Sequence, residues 1–231
     1  MTVHITLLSI SKSYRLTLAM LLAFCVVFFA YIYSEKQIDR ANELRIRSYL
    51  LAAELRQSSD DLTRMVRTYV ITGDSIYKQH FQEILDIRNG KLPRPTSYNN
   101  IYWDLVLADN IRPRAYGEKK PLLQLMKEAS FTDEEFAELS KAKSNSDLLT
   151  HIEFAAMRLI EPTNETTEFN RNQASLMLND LAYHKAKAGI MQPISNFNQM
   201  MDKRTLANLH YAETTALVLR TLVILFGVLF L

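Results

Sequence analysis

An all-α fold is what this sequence predicts: an elongated antiparallel helical bundle, four-helix-bundle-like, with two flanking transmembrane helices. Three observations predict it. The 231 residues include only 5 glycines and 6 prolines, so hairpins and tight β-turns have little to be built from. Apolar residues in the middle of the chain recur every three or four positions, the period of one buried helical stripe, and no strand-like alternation occurs. The remaining apolar residues crowd the two ends, although the composition as a whole, 48% hydrophobic and 23% charged, is that of an ordinary globular chain.

The first element is a membrane-crossing helix over residues 16–34, preceded by a cytoplasmic N-terminus of residues 1–15. From Leu16 to Ser34 no residue is charged, and at 1.5 Å per residue the stretch is roughly 28 Å long, close to the ~30 Å hydrocarbon core of a bilayer. A cleaved signal peptide would end in small residues, whereas Phe28, Phe29, Tyr31, Ile32 and Tyr33 fill that place, so an uncleaved anchor is the better reading. Lys12 and Arg15 precede the span and mixed charges follow it, which puts the N-terminus inside by the positive-inside rule. Residues 35–217 then form an extracytoplasmic helical domain, and 218–231 begin a second, truncated span. Past Arg220 there remain only 11 residues, roughly 16 Å of helix, so Arg220 is expected to snorkel and the natural helix to continue beyond Leu231.

Within the domain, Leu44, Leu51, Leu55, Leu62, Met65, Val66, Tyr69 and Val70 mark a long amphipathic helix reaching about Ile71. Gly73 fits its C-terminal stop and Asp74 the N-cap of a second helix, which carries Tyr77, Phe81, Ile84 and Leu85 and ends at Arg88-Asn89-Gly90. From Asn89 to Pro121 the chain is irregular, because Pro93, Pro95, Pro113 and Pro121 fall there with Gly90 and Gly117. Helices resume with PLLQLMKEAS, and Thr132-Asp133-Glu134-Glu135 is a capping box opening a helix that continues through Phe136, Leu139, Leu148, Leu149, Ile152 and Met157. Pro162, Thr163 and Asn164 mark a break; Asn164-Glu165-Thr166 also matches a glycosylation acceptor, a pattern common by chance. The last helix begins near Asn172, carries Leu176, Leu178, Leu181, Ile190, Ile194, Phe197, Met201 and Leu209 on to the second span, and should be kinked or loosened at Pro193.

The stretches QSSDDLTRMVRTYVITGD (57–74), FQEILDIRNGKLPRP (81–95), YNNIYWDLVL (98–107) and LNDLAYHKAKAGIMQPISNFNQMMDKRT (178–205) resemble the N-terminal transmembrane and periplasmic sensor region of bacterial signal-transduction receptors. Such regions precede histidine kinase, diguanylate cyclase or methyl-accepting chemotaxis outputs. The resemblance covers roughly residues 40 to 210. It implies extracytoplasmic sensing, a homodimer in the bacterial inner membrane, and signalling through the first and last helices.

The formal net charge of +2, with Lys and Arg interleaved among Asp and Glu, speaks against a nucleic-acid surface. The single cysteine, Cys25, lies inside the first apolar run and permits no intramolecular disulfide. Enzyme activity, a metal site and a cofactor are not expected: His4, His80, His151, His184 and His210 are scattered, with no pair at metal spacing and no Gly-rich phosphate loop. Two places could form a binding site. One is the loop group Arg88, Arg94, Tyr98, Tyr102, Trp103 and Asp104, whose aromatic walls and guanidinium donors suit a small organic anion. The other is Tyr183, His184 and Lys187 with Met191, where spacings of four put Tyr183, Lys187 and Met191 on one helix face. Against these stands a purely structural reading, in which Trp103 and the tyrosines cap the core and the arginines pair with Asp86, Asp104 and Glu83. Arg64 and Arg67 could likewise reach inward or stay solvated. Docking of a periplasmic binding protein, or a scaffold that carries no signal, are the alternatives to a ligand-binding role.

Overall fold

The gap between Gly73 and Asp74 is where the first helix stops, and its chemistry is local. Gly73 takes a positive φ of 72°, and Asp74 accepts from the Ile76 amide at 3.0 Å, capping the next helix. The structure, a computed structural model, describes residues 2–98, 101–129, 131–161 and 167–229, with side chains from Lys12 onward. Its helices are α1 (Thr2–Thr72), α2 (Ser75–Arg88), α3 (Trp103–Asp109), α4 (Leu122–Glu128), α5 (Asp133–Leu159), α6 (Glu168–Met177) and α7 (Leu181–Leu229). Among the described residues there is no strand; a lone antiparallel bridge joins Pro95 to Tyr116. The all-α expectation holds. The break and glycosylation pattern at 162–166 lie outside the described residues.

The chain divides into two compact units: unit 1 comprises Met1–Arg45 and Lys203–Leu231, unit 2 Ile46–Asp202. In unit 1, α1 and α7 each carry a segment long and apolar enough to cross a membrane. A core helix of a soluble protein would hide such a window, yet 0% of it is buried on α1 and 11% on the C-terminal helix. Phe24 meets Phe226 edge-on at 6.4 Å, a contact between the two apolar segments.

Unit 2 holds the main core. Leu51, Leu55, Leu62, Met65, Val66, Tyr69 and Val70 of α1 are buried, as the spacing predicts, together with Phe81, Ile84 and Leu85 of α2 and Ile190, Ile194, Phe197 and Met201 of α7. Leu148 is exposed instead of buried, because its neighbour Leu149 takes the inward position and successive helix residues differ by about 100°. The α5 N-terminus carries the predicted capping box, Thr132 and Glu135 exchanging both bonds. The predicted last helix is two: α6 ends at Met177, Leu178 caps it, and α7 starts at Leu181, leaving Leu176 and Leu181 exposed. Pro193 sits inside α7 without interrupting it.

The 89–121 segment is more ordered than its prolines suggest. Around the Pro95–Tyr116 bridge the Arg94 amide donates to the Glu118 carbonyl, the Gly117 amide to the Arg94 carbonyl and the Thr96 amide to the Ala115 carbonyl. The segment is anchored at Gly90, whose φ is 72° and where a Cβ would come within 2.5 Å of the Pro121 nitrogen. Only glycine fits there. Helix α3, unforeseen in this segment, ends on Asn110 in the left-handed conformation.

Candidate functional site

Unit 2 contains two buried clusters, and they divide the predicted site residues between them. The first joins α1, α5 and α7. Tyr183 is buried, and its Oη donates to Glu153 Oε1 at 2.7 Å and lies 3.0 Å from Thr63 Oγ1. One turn along α7, Lys187 Nζ donates to Ser59 O (2.6 Å), Ser59 Oγ (2.8 Å) and Thr63 Oγ1 (3.0 Å), with Asp60 Oδ1 3.1 Å away. The Arg67 guanidinium stacks 5.3 Å from the Tyr183 ring centre and donates to the Leu178 carbonyl, which ends α6. Burial dominates the electrostatics. It raises the Glu153 carboxyl above its ordinary range, despite the Tyr183 bond, and it lowers the Lys187 ammonium, with Asp60 opposing.

The second cluster packs the 98–112 segment on α2. Trp103 Nε1 donates to Tyr98 Oη at 2.8 Å, and Tyr102 stands edge-on to both rings at 5.2 and 5.3 Å. His80, also buried, meets the Trp103 ring at 5.3 Å. Neither His80 nitrogen nor Tyr102 Oη has a hydrogen-bond partner among the described residues. Burial therefore lowers the His80 pKa, the Arg112 charge adding to the effect, and pushes Tyr102 up to about 12. At the edge of this cluster Arg112 clamps Glu83 with two bonds of 3.0 and 2.6 Å, and Arg64 bridges Asp61 (2.7 Å) and Asp104. Burial pushes the Asp61 carboxyl up to about 6, the Arg64 charge notwithstanding.

The predicted loop group is thus only partly assembled. Tyr98, Tyr102 and Trp103 come together, but as buried core. Arg88 turns away to α5, donating to Ser146 Oγ (2.8 Å) and Asp147 Oδ1 (3.0 Å), and burial lowers its pKa. Arg94 pairs with buried Glu54 of α1 and is lowered to about 10 by burial. Asp104 is exposed and pairs with Arg64. Of the partners expected for the loop arginines in the structural reading, Glu83 is paired, with Arg112; Asp104 is taken by Arg64 of α1, and Asp86 faces Lys91 and Gln82.

On α7, Tyr183 and Lys187 do share one face. His184 does not join them: it is exposed, its ring edge-on to Tyr183 at 6.5 Å, because a residue one position on from Tyr183 is turned by about 100°. Sequence reasoning missed Glu153, Thr63, Ser59 and Asp60. The signal was there for Glu153: Ser146, Leu149, Thr150, Glu153, Ala156 and Met157 form one stripe, so a carboxylate falls on an apolar face.

A shallow depression of about 320 Å³ is lined by Ser75, Lys78, Gln79, Gln82 and Phe154, none of them a predicted site residue. Among the described residues no group of three or more His, Cys, Asp or Glu side chains could hold a metal ion. No family model, curated protein or solved structure matches the chain.

Proposed function

We propose that unit 2 is the extracytoplasmic input module of a bacterial transmembrane signalling receptor, a helical bundle in which stimulus reaches a cytoplasmic output through α1 and α7. The observation that carries this reading is the cluster around Tyr183. It bonds α1 to α7 through Thr63, Ser59 and Lys187, and α7 to α5 through Glu153. The same two helices carry the apolar, membrane-length segments of unit 1. A change in this cluster moves the two helices that enter the membrane, and packed helices with two arrangements relay such changes as a piston, tilt or rotation. The input is a small organic ligand, and the working form is a homodimer in the inner membrane with unit 2 in the periplasm.

Two measurements test this. With Cys25 replaced by Ser and exposed Lys141 replaced by Cys, a membrane-impermeant maleimide should label intact cells; labelling only after lysis would place unit 2 in the cytoplasm and end the proposal. The purified chain should then gain stability with its ligand in a thermal-shift screen of metabolites, about 2.7 kcal/mol at a hundredfold excess over Kd.

One observation favours a second reading, docking of a periplasmic binding protein. Ile101, Leu105, Ile111 and Tyr116 are 67%, 48%, 64% and 52% exposed on the 98–116 segment, more apolar surface than a solvated loop needs. Charged substitutions at Ile101 and Ile111 would abolish signalling under this reading and leave ligand-dependent stabilisation intact under the first.

A further inference from the structure

His80 lies on α2, 1% exposed, against the ring of Trp103 at 5.3 Å. Neither of its nitrogens has a hydrogen-bond partner among the described residues, and the Tyr102 hydroxyl beside Trp103 has none either. A neutral imidazole tolerates such a place, whereas an imidazolium needs an acceptor for each of its two N–H groups. Glu83 Oε2, one turn along the same helix, stands 3.8 Å from His80 Nδ1, too far for a hydrogen bond. That oxygen is already in use. Arg112 Nη2 donates to it at 2.6 Å and Arg112 Nε donates to Oε1 at 3.0 Å, a fork that ties the end of the 101–112 segment to α2. Among the described residues the charged groups facing His80 are Glu83 and the cap residue Asp74 on its own element and Arg112 on the segment. Helix α3 brings the Trp103 ring, and its carboxylates are engaged elsewhere: Asp104 pairs with Arg64 of α1, and Asp109 accepts from the Ile111 amide.

We propose that His80 is an acid-operated latch: its protonation draws Glu83 from Arg112 to the imidazolium and frees the 101–112 segment from α2, uncovering Tyr102 and Trp103. Both fastenings of the segment meet at His80, the Arg112 fork through Glu83 and the Trp103 packing directly. Bringing Oε2 about 1 Å closer, to bonding distance from Nδ1, breaks the shorter arm of the fork. The second N–H of the imidazolium and the Tyr102 hydroxyl reach water only when the segment lifts, so the open form satisfies groups that the closed form leaves orphaned. In the closed form burial, and then the Arg112 charge, hold the imidazole below its ordinary 6.5, while a hydrated His80 returns to about 6.5. The open form therefore binds more protons, and closure weakens as pH falls below 6.5, the closed-to-open equilibrium moving by up to about tenfold per pH unit. The latch requires neither a membrane orientation nor a ligand, so it stands apart from the sensing proposal.

Trp103 is the only tryptophan in the chain, so indole emission reports on this place alone. The purified full chain is titrated from pH 8 to pH 5 while emission maximum, acrylamide quenching and far-UV circular dichroism are followed together. Wild type should keep its helices while emission moves to longer wavelength and quenching rises, most steeply below pH 6.5. His80→Phe and His80→Gln, two neutral replacements of different shape, should both hold the quenching of wild type at pH 8 down to pH 5. Arg112→Gln, which cuts the fork, should quench more than wild type already at pH 8. A transition that survives in both His80 variants would belong to another group, such as Asp61, and overturns the latch. A loss of helix in step with the quenching, which is global acid unfolding, overturns it too, as does a flat wild-type titration or an Arg112→Gln protein as protected as wild type at pH 8.

Discussion

In the cluster joining α1, α5 and α7, Tyr183 Oη reaches both Glu153 and Thr63, and every Lys187 proton has an acceptor. In the cluster on α2, Tyr102 Oη and both His80 nitrogens have none among the described residues. Both clusters are buried, and both are built from tyrosines beside titratable groups. The difference shows what each is for. Satisfied polar networks fix one helix register, because any slip breaks several bonds at once. The aromatic cluster is held by ring packing, with Trp103 as its largest buried side chain, and by the single Trp103–Tyr98 bond, while Tyr102 Oη and the His80 nitrogens contribute no bond among the described residues.

That contrast can be broken by substitution. Tyr183→Phe should cost about 1–3 kcal/mol by chemical denaturation, since it leaves buried Glu153 without its donor. A loss no larger than that of Tyr102→Phe would erase the distinction. The pH dependence of stability sharpens it next. The folded pKa of Asp61 is raised to about 6 from 3.8, so Asp61 adds stability as pH falls from about 7 towards 4. The folded pKa of His80 is lowered below 6.5, so protonation opposes folding and His80 removes stability as pH falls below 6.5. Asp61→Asn should therefore lose more stability than wild type between pH 7 and 5, and His80→Phe less, each by at most about 1.4 kcal/mol per pH unit. Opposite signs are the outcome to measure by urea titration at each pH. The smallest effect is expected from Tyr102→Phe, within about 0.5 kcal/mol of wild type, because no hydrogen bond is given up.

The helices were legible in the sequence wherever one stripe governed them. Leu51 to Val70 and Phe81 to Leu85 are buried as their spacing requires, and Asp74 and Thr132 cap as their types suggest. Proline and glycine misled between Asn89 and Pro121: they gave the turns but hid α3 and the Pro95–Tyr116 bridge. The break between α6 and α7 has no proline or glycine; its signal is Asp180, whose carboxylate accepts from the Tyr183 amide and caps α7, while Arg67 takes up the Leu178 carbonyl. Arg171, which takes up the Val70 and Ile71 carbonyls at the end of α1, was invisible, because its partners lie about a hundred residues away. Of the site, Tyr183 and Lys187 could be read from their spacing. Thr63 and Ser59 could not, since a hydroxyl on a helix gives no periodic signal.

Glu153 carries a further consequence. With its carboxyl ionised, Tyr183 donates to it and Thr63 donates back to Ser59 O at 3.0 Å, leaving the Tyr183–Thr63 pair without a proton of its own. Load one proton on Glu153 and it donates to Tyr183, whose hydroxyl then turns its own proton to Thr63, while Thr63 goes on donating to Ser59 O. A single ionisation on α5 thereby decides whether Tyr183 donates to α5 or to α1.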